Sequence, residues 1–421
     1  MKAARPNRSY RTALFLDRRI GPLVCAFLAL GKPVRHALRS LRQDQPVRKV
    51  LIVKFWGIGS LVLASPLFAE LKRQYPDAEI DVLTLRENES VLRLYPAISR
   101  RLTLHLGGGV LRFLRDTALL LLRVRRERYD LLLDLEFFTR FSAAFSFLAR
   151  AQKTQGFSSK GSARGRLHDV EFPFNGYCHV TANFLALLDG EPMKSPPALD
   201  RALLLPRLEP GAAARTHVAA VLESHPAWRA GFPLVVFNPN AGDMALERRW
   251  PAEPAALLLA GLVGRGDLNV ALTGSQAEAP YVQSVAAASG VAHRLVDLAG
   301  RISIEELIAL LERADVFVTN DSGPLHIACA TGTPTVALFG PETPVLYGPL
   351  TARAGQRHRV HYKGLACSPC MFVHDNKVLT CWFAQAECMS QIRPADVLAS
   401  VEDLLGVSAA PKRTSLALAN A

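Results

Sequence analysis

The stretch Val318-Thr319-Asn320-Asp321-Ser322-Gly323-Pro324-Leu325-His326 decides how the chain is read. It passes from a β-branched apolar run through small polar residues into an apolar periodic segment, the pattern of a strand, a turn and a helix. Ser322 suits the N-cap, Pro324 the first helical turn, and Gly323 clears space for close backbone approach. Free N–H groups beside a helix dipole make such a turn a place for a diphosphate. Asp321 would repel phosphates, so its carboxylate is expected to face sugar hydroxyls. The plainer reading is a helix cap with a buried His326.

Working outward, the same grammar recurs. Residues 234–237, 268–272, 294–297, 316–318 and 335–338 read as short buried strands separated by helical or turn-rich segments. Toward the N-terminus, the apolar run 50–53 leads through Lys54-Phe55-Trp56-Gly57-Ile58-Gly59 into a periodic apolar segment, 61–71. Residues 79–83 and 131–135 read as further strands, and 111–128 as a basic helix. Strands alternating with helices imply parallel sheets with helices on both faces. The Pro/Gly-rich stretch 206–215 reads as a boundary. The expected fold is therefore α/β, with two facing Rossmann-like doubly wound domains and a ligand cleft at the carboxyl ends of their strands. The expected division is an arm at 1–47, domains at 48–208 and 209–405, and a tail at 406–421.

The length of 421 residues accommodates two such domains, and 49% hydrophobic against 21% charged residues is a globular composition. The net charge of +13 is unevenly placed: residues 1–50 hold 12 Lys/Arg against Asp17 and Asp44, a balance of +10. Beyond that arm no basic and aromatic stripe is present, which argues against nucleic acid. Within the arm the apolar run 20–30 is shorter than the roughly 20 residues of a membrane span, and no small-residue cleavage site follows it. A cytoplasmic chain is expected. The arm suits the surface of an anionic leaflet or reads, more plainly, as a loosely docked tail.

Several further groups could carry chemistry. Gly57-Ile58-Gly59 permits a tight turn that presents a helix N-terminus to an anion. With Asp81 at the end of the next strand it also forms a weak dinucleotide fingerprint, lacking the third glycine at Val62. Asn238-Pro239-Asn240-Ala241-Gly242 follows a strand, and Arg248-Arg249 just beyond could neutralise phosphate through forked hydrogen bonds. Gln276 and Glu278 lie in the turn after another strand. No P-loop lysine pattern, Gly-x-Ser-x-Gly or His-Glu-x-x-His is present, so ATPase and hydrolase readings lack their machinery. Of the seven cysteines, four form the series Cys367-x2-Cys370-x10-Cys381-x6-Cys388. The opening pair fits zinc or an iron–sulfur cluster, but the second spacing is looser than that of common zinc modules, so packed or redox-labile thiols are preferred over a structural metal.

The ordered set of residues 50–66, 238–251, 298–303 and 319–344 resembles glycosyltransferase family 9, the heptosyltransferases that act on the inner core of lipopolysaccharide, over roughly residues 48–405. The resemblance implies a GT-B fold, inversion at the anomeric carbon and no metal requirement. It also implies a nucleotide-sugar donor, ADP-linked, held by the C-terminal domain, and a lipopolysaccharide-type or other surface-glycan acceptor on the N-terminal one. By position it makes Arg248 a diphosphate contact and Asp321 a donor-sugar contact, with Gly323 and His326 beside the diphosphate and Gln276 or Glu278 at the ribose. Asn238, Arg249 and Ser322 complete the expected donor site.

One departure stands out. Where the family's glycine loop continues into an aspartate general base, this chain has Ser60, and a hydroxyl does not accept a proton at neutral pH without a base of its own. Glu136, in Asp134-Leu135-Glu136-Phe137, is the expected replacement and Asp134 the second choice. Two alternatives compete with the transferase reading. Ser60 motivates a nucleotide-sugar-binding protein without transfer, and Gly57-x-Gly59 with Asp81 motivates an NAD-linked oxidoreductase or epimerase. The protein is expected to sit at the inner face of the inner membrane.

Overall fold

A computed structural model describes residues 8–33, 35, 46–158, 164, 166–189, 203–242, 245–371 and 381–406. The tail expected from 406 lies, from 407 onward, outside the described residues, as do residues 1–7 and 36–45 of the arm.

Two six-stranded parallel sheets form the molecule. The first comprises β1 (Lys49–Val53), β2 (Glu79–Leu85), β3 (Arg100–Leu104), β4 (Leu131–Asp134), β5 (Lys153–Ser158) and β6 (Val170–Pro173), in the order β3-β2-β1-β4-β5-β6. The second comprises β7 (Leu234–Asn238), β8 (Asn269–Leu272), β9 (Leu295–Asp297), β10 (Val316–Asn320), β11 (Thr335–Phe339) and β12 (His358–Tyr362), in the order β12-β11-β10-β7-β8-β9. Counted within each sheet, the two orders are the same. The order reverses beside β1/β4 and beside β7/β10, the places where doubly wound sheets hold ligands. This is the GT-B architecture.

From Val50 onward β1 (Lys-Val-Leu-Ile-Val) is buried, and so is all of β10 (Val-Phe-Val-Thr-Asn), which is why their apolar runs 50–53 and 316–318 are legible. Four strands escape the sequence reading. β3 begins Arg-Arg, β5 reads Lys-Thr-Gln-Gly-Phe-Ser, β6 is an edge strand ending in Pro173, and β12 is a half-exposed edge. The segment read as one apolar stretch from 61 to 71 is two helices, α3 (Ile58–Leu63) and α4 (Ser65–Gln74), with the arm's α1 (Arg8–Arg19) and α2 (Gly21–Leu30) before them. Pro66 at the start of α4 has no N–H to continue the ladder, and Ser65 Oγ donates to the Val62 carbonyl at 2.7 Å instead.

The described part of the arm is helical and docked, so the loose-tail expectation does not hold for it. Asp17 accepts hydrogen bonds from the backbone N–H groups of Arg140 (2.9 Å) and Phe141 (2.7 Å), capping the start of α6 (Arg140–Ala149). Cys25 is buried in a small cluster with Ala143 of α6 and Leu167. The stretch 206–215 also crosses toward the second sheet: the Leu205 N–H donates to the Thr351 carbonyl and the Leu208 N–H to the Ala330 carbonyl, both at 2.9 Å.

Apolar contact is continuous between the two halves. Leu61, Val62, Leu63, Ala64 and Leu67 belong to the same buried cluster as Leu325, Ile327 and Ala328 of α7 (Gly323–Thr331). At the contact, a Cβ on Gly59 would lie 2.6 Å from His326 Cδ2 and 3.1 Å from Gly323 Cα, and one on Gly323 would overlap Ile58 Cγ2. The two glycine turns, read separately in the sequence, thus meet each other.

Candidate active site

The turn after β10 is built around Asn320. Its Oδ1 accepts from the Trp250 N–H (3.1 Å), and its Nδ2 donates to the carbonyls of Pro239 (2.9 Å) and Asn240 (3.1 Å). One buried amide therefore fixes the loop following β7 against the end of β10. Sequence reasoning passed over Asn320 as part of the turn, and its role could only emerge once the two strands were adjacent. Asn238 Oδ1 accepts from the Asn240 N–H at 2.9 Å, tightening the same loop.

Arg248 reaches across this loop. Its guanidinium donates to the Ala241 carbonyl (2.9 Å) and pairs with Asp321 Oδ2 (3.3 Å). The expectation that Asp321 turns away from the phosphate side is therefore revised: part of its carboxylate orients the arginine expected there. The Arg249 guanidinium lies 4.0 Å from the centroid of the Tyr281 ring, a distance that suits a cation–π contact. Ser322 occupies the N-cap position of α7 with extended backbone, but makes no capping bond through its side chain; its Oγ meets Thr319 Oγ1 at 3.2 Å. His326 is buried, and burial, together with the charges of His179 and Arg248, pushes it down to about 3, so its ring is neutral at physiological pH.

Around these groups lie buried polar atoms with no hydrogen-bond partner in the protein: Nδ2 and Oδ1 of Asn240, Nε of Arg248 and of Arg249, Thr273 Oγ1 and His326 Nδ1. They come from the carboxyl ends of β7 and β8, the loop after β7, and α7. Buried polar groups are nearly always hydrogen-bonded, so such a concentration marks a place built for a polar ligand. Gln276 and Glu278 sit at the margin. Gln276 is exposed, and Glu278 Oε2 accepts from the Ser275 N–H at 2.8 Å, which commits that oxygen to its own turn.

In the first domain, Gly57 adopts φ +84° at the entry to α3, a conformation that favours glycine. Gly59, by contrast, is there for packing against α7. The expectation that this loop opens toward an anion or a dinucleotide is corrected: α7 occupies the space that Gly59 clears. Ser60, half-buried on α3, has its Oγ 3.3 Å from where a Gly57 Cβ would stand.

Glu136 and Asp134 are both buried completely. Glu136 Oε1 accepts from Lys54 Nζ (2.9 Å) and from the backbone N–H groups of Phe55 (2.8 Å) and Trp56 (2.9 Å). That oxygen is saturated, while Oε2 has no partner in the protein. Asp134 Oδ2 meets Arg164 (2.5 Å), His168 Nε2 (3.1 Å) and Ser142 Oγ (3.0 Å), and Oδ1 accepts from the Glu136 N–H (3.0 Å). Burial alone would raise Asp134, but Arg164 and His168 outweigh it and hold the carboxyl below its ordinary range. With both oxygens engaged inside the domain, Asp134 is not placed to deprotonate an acceptor; it anchors the β4 exit. Lys54, Arg164 and His168 were not singled out from sequence, because their importance arises from burial beside these carboxylates.

The two halves converge on Tyr347, in the short helix Pro344–Tyr347. Burial pushes its phenol well above the ordinary value, and the negative charges of Glu342, Asp321 and Glu136 act in the same direction. Carboxylates from both domains thus share one neighbourhood. Among the described residues no cluster of three or more His, Cys, Asp or Glu side chains has the geometry to hold a metal ion. Cys367, Cys370, Cys381 and Cys388 nevertheless lie within electrostatic reach of one another, and burial, reinforced by the other three thiols, pushes Cys388 up to about 11. Residues 372–380, between them, are outside the described set.

Two facing doubly wound domains with a polar, partner-poor site at the switch point of the second define a GT-B glycosyltransferase. The family model described as glycosyltransferase family 9 (heptosyltransferase) matches residues 119–374, and the chain belongs to that family. It is 30% identical over 308 residues to lipooligosaccharide heptosyltransferase 2 of Haemophilus influenzae, covering 72% of this chain and 87% of that protein. Among solved structures it resembles Escherichia coli ADP-heptose lipopolysaccharide heptosyltransferase II, with a TM-score of 0.66 and 22% identity over 85% of this chain and 98% of the other. It also resembles E. coli heptosyltransferase WaaC with ADP, with a TM-score of 0.61 and 17% identity, covering 85% of this chain and 99% of that one.

Proposed function

We propose that the protein transfers a sugar, heptose from ADP-heptose, to a lipopolysaccharide-type acceptor with inversion at the anomeric carbon. One observation carries this reading: the unpartnered polar atoms of Asn240, Arg248, Arg249, Thr273 and His326 at the carboxyl ends of the second sheet. The activities printed for the H. influenzae and E. coli relatives, and the ADP of the WaaC structure, supply the donor class. In this reading residues 209–405 hold the donor and residues 48–208 receive the acceptor.

Arg248 and Arg249 meet the diphosphate, assisted by the N-terminal turn of α7, so that side-chain cations rather than a metal stabilise the departing charge. Asp321 orients Arg248 through Oδ2 and offers its other oxygen to a donor-sugar hydroxyl. Gln276 and the free oxygen of Glu278 face the ribose side. Glu136 Oε2 serves as the base that takes the acceptor proton as the hydroxyl attacks the face opposite the diphosphate, with Lys54 and the Phe55 and Trp56 amides holding the carboxylate in place through Oε1. Ser60 is within the acceptor side and positions rather than deprotonates.

No described helix is long and apolar enough to cross a membrane. The arm, with its basic excess and exposed Phe15, Leu23, Phe27 and Leu30, is read as a peripheral contact with an anionic leaflet on the cytoplasmic face. The test of function is thermal stabilisation by ADP, UDP, GDP, CMP and NAD. A ligand at a hundred times its Kd adds about 2.7 kcal/mol. Selective stabilisation by ADP, lost in Arg248→Ala, is expected; stabilisation by NAD alone would overturn the transferase reading.

A further inference from the structure

A second cavity, of about 740 Å³, lies away from the donor site, between α1, α2, α6 and the helix α5 (Val110–Glu127). Its volume is within the range of about 300–1,000 Å³ of small-molecule sites. The walls are hydrocarbon: Leu16, Leu85, Leu104, Phe113, Leu121 and Phe145 are typical. Asp17 also lines it, with its carboxylate taken up by the Arg140 and Phe141 amides and by the Arg140 guanidinium at 3.5 Å. Phe55 and Trp56, the residues whose amides hold Glu136, line it too.

The mouth of this cavity is continuous with an apolar surface. Ile20, Val24, Val110 and Leu114 both line the cavity and are 41–56% exposed, and Leu23, Phe27 and Leu111 beside them are 72–85% exposed. Of the 19 large hydrophobic side chains exposed among the described residues, 11 lie on residues 15–30 and 110–122, so the patch is a concentration and not surface average. Cations outnumber the carboxylate among them: the Arg112 and Arg115 side chains, 57% and 67% exposed, share Asp116 at 3.6 and 2.9 Å, and Arg19 and Arg123 are exposed too. An apolar rim set with arginines complements an anionic lipid surface, and a deep hydrocarbon cavity opening within that rim complements a single chain from it.

We infer that this cavity is a binding site for one hydrocarbon chain of an anionic membrane lipid, drawn from the leaflet between α2 and α5 toward Trp56. The inference rests on the peripheral-membrane reading of the arm and is independent of which sugar is transferred. Lodging a chain there ties the docked arm to the wall behind the Glu136 loop.

Trp56 provides the readout, because bromine on an acyl chain quenches indole fluorescence only at contact range. Full-length protein is mixed with phosphatidylglycerol vesicles whose chains are brominated at mid-length, with unbrominated vesicles as reference, and co-sedimentation is measured on the same samples. Expected is co-sedimentation with loss of most of the Trp56 emission, identified as the part of the quenching that Trp56→Phe removes. Val24→Asp and Leu114→Asp, at exposed mouth positions and so compatible with folding, should abolish the quenching even if Trp56→Phe proves unstable. Co-sedimentation with quenching unchanged by either mouth variant overturns the cavity while leaving the membrane reading in place. Absence of co-sedimentation overturns both, and neither result touches the transferase assignment. Equal quenching by brominated phosphatidylcholine overturns the requirement for an anionic lipid.

Discussion

Replacing Glu136 by glutamine keeps the shape of the side chain and removes its charge, taking from the buried Lys54 ammonium the carboxylate it pairs with at 2.9 Å while its hydrogen bond to the Trp56 carbonyl stays. Lys54 is 1% exposed and Glu136 not exposed at all, so water cannot substitute. The Lys54 Nζ contact and the two amide contacts to Oε1, at 2.8–2.9 Å, are charge-assisted in the wild type and ordinary at best in the variant. Breaking a buried pair by removing one partner typically costs about 3–5 kcal/mol, which for a domain of this size lowers the melting temperature by roughly 10 °C. The double variant Lys54→Met/Glu136→Gln removes both charges. It should recover much of that loss, giving a coupling of about 1–3 kcal/mol in a double-mutant cycle. Urea or thermal unfolding of the four proteins measures it. Turnover discriminates further: the double variant should fold yet stay inactive, because the proposed base is gone. A Glu136→Gln protein that unfolds within about 0.5 kcal/mol of wild type, the span of an ordinary surface substitution, would refute the argument that this pair fixes the β1 exit.

Three more outcomes are expected. Gly59→Ala places a methyl 2.6 Å from His326 Cδ2, so it should cost about 1–3 kcal/mol and depress turnover, whereas Gly176→Ala, with nothing within 4 Å, should be near neutral; melting curves compare them. His326, His179 and His358 are pushed by burial to about 3, 4 and 4. The unfolded chain then binds protons that the folded one refuses, so stability should fall as pH drops from about 6.5 toward 4.5, by up to about 1.4 kcal/mol per pH unit for each histidine. His326→Gln should flatten the fall in pH-dependent unfolding. Arg248→Lys keeps the charge but loses the fork that spans Ala241 and Asp321, so ADP affinity measured by calorimetry should weaken about tenfold, a loss of about 1.4 kcal/mol.

The legible parts of the fold are those whose burial is complete. β1 after Lys49, and β4, β7 and β10 up to their last polar residues, are buried apolar runs, and the glycine turn after β1 and the asparagines that end β7 and β10 announce the switch points. β5 is invisible for a physical reason: its inward Thr154 and Gln155 are polar, and Thr154 is satisfied by Asp169 at 2.7 Å, a partner 15 residues away that no local pattern supplies. The donor side of the site follows from sequence because its residues lie in the three short loops after β7, β8 and β10. The acceptor side does not. Glu136 was identified as a carboxylate at the cleft, but Lys54, which holds it, stands 82 residues earlier, and Asp134 looked available until Arg164 and His168 closed around it.

The meeting of the two glycine turns bears on Ser60, which stands where the family resemblance leads one to expect an aspartate. Gly59 and Gly323 bring α3 and α7 so close that Ser60, the next residue of α3, follows directly on the contact with the Gly323 turn expected to border the diphosphate. A carboxylate there would sit close to the phosphates' own negative charge. In the proposed mechanism the base is Glu136, just past the end of β4, whose charge is already balanced by Lys54 at 2.9 Å, so it adds no net negative charge to the cleft. Ser60→Asp should therefore weaken ADP binding without restoring turnover to Glu136→Gln. If that double variant regained activity, the loop would be a competent seat for the base and the serine a recent loss, and the role assigned to Glu136 would have to be withdrawn.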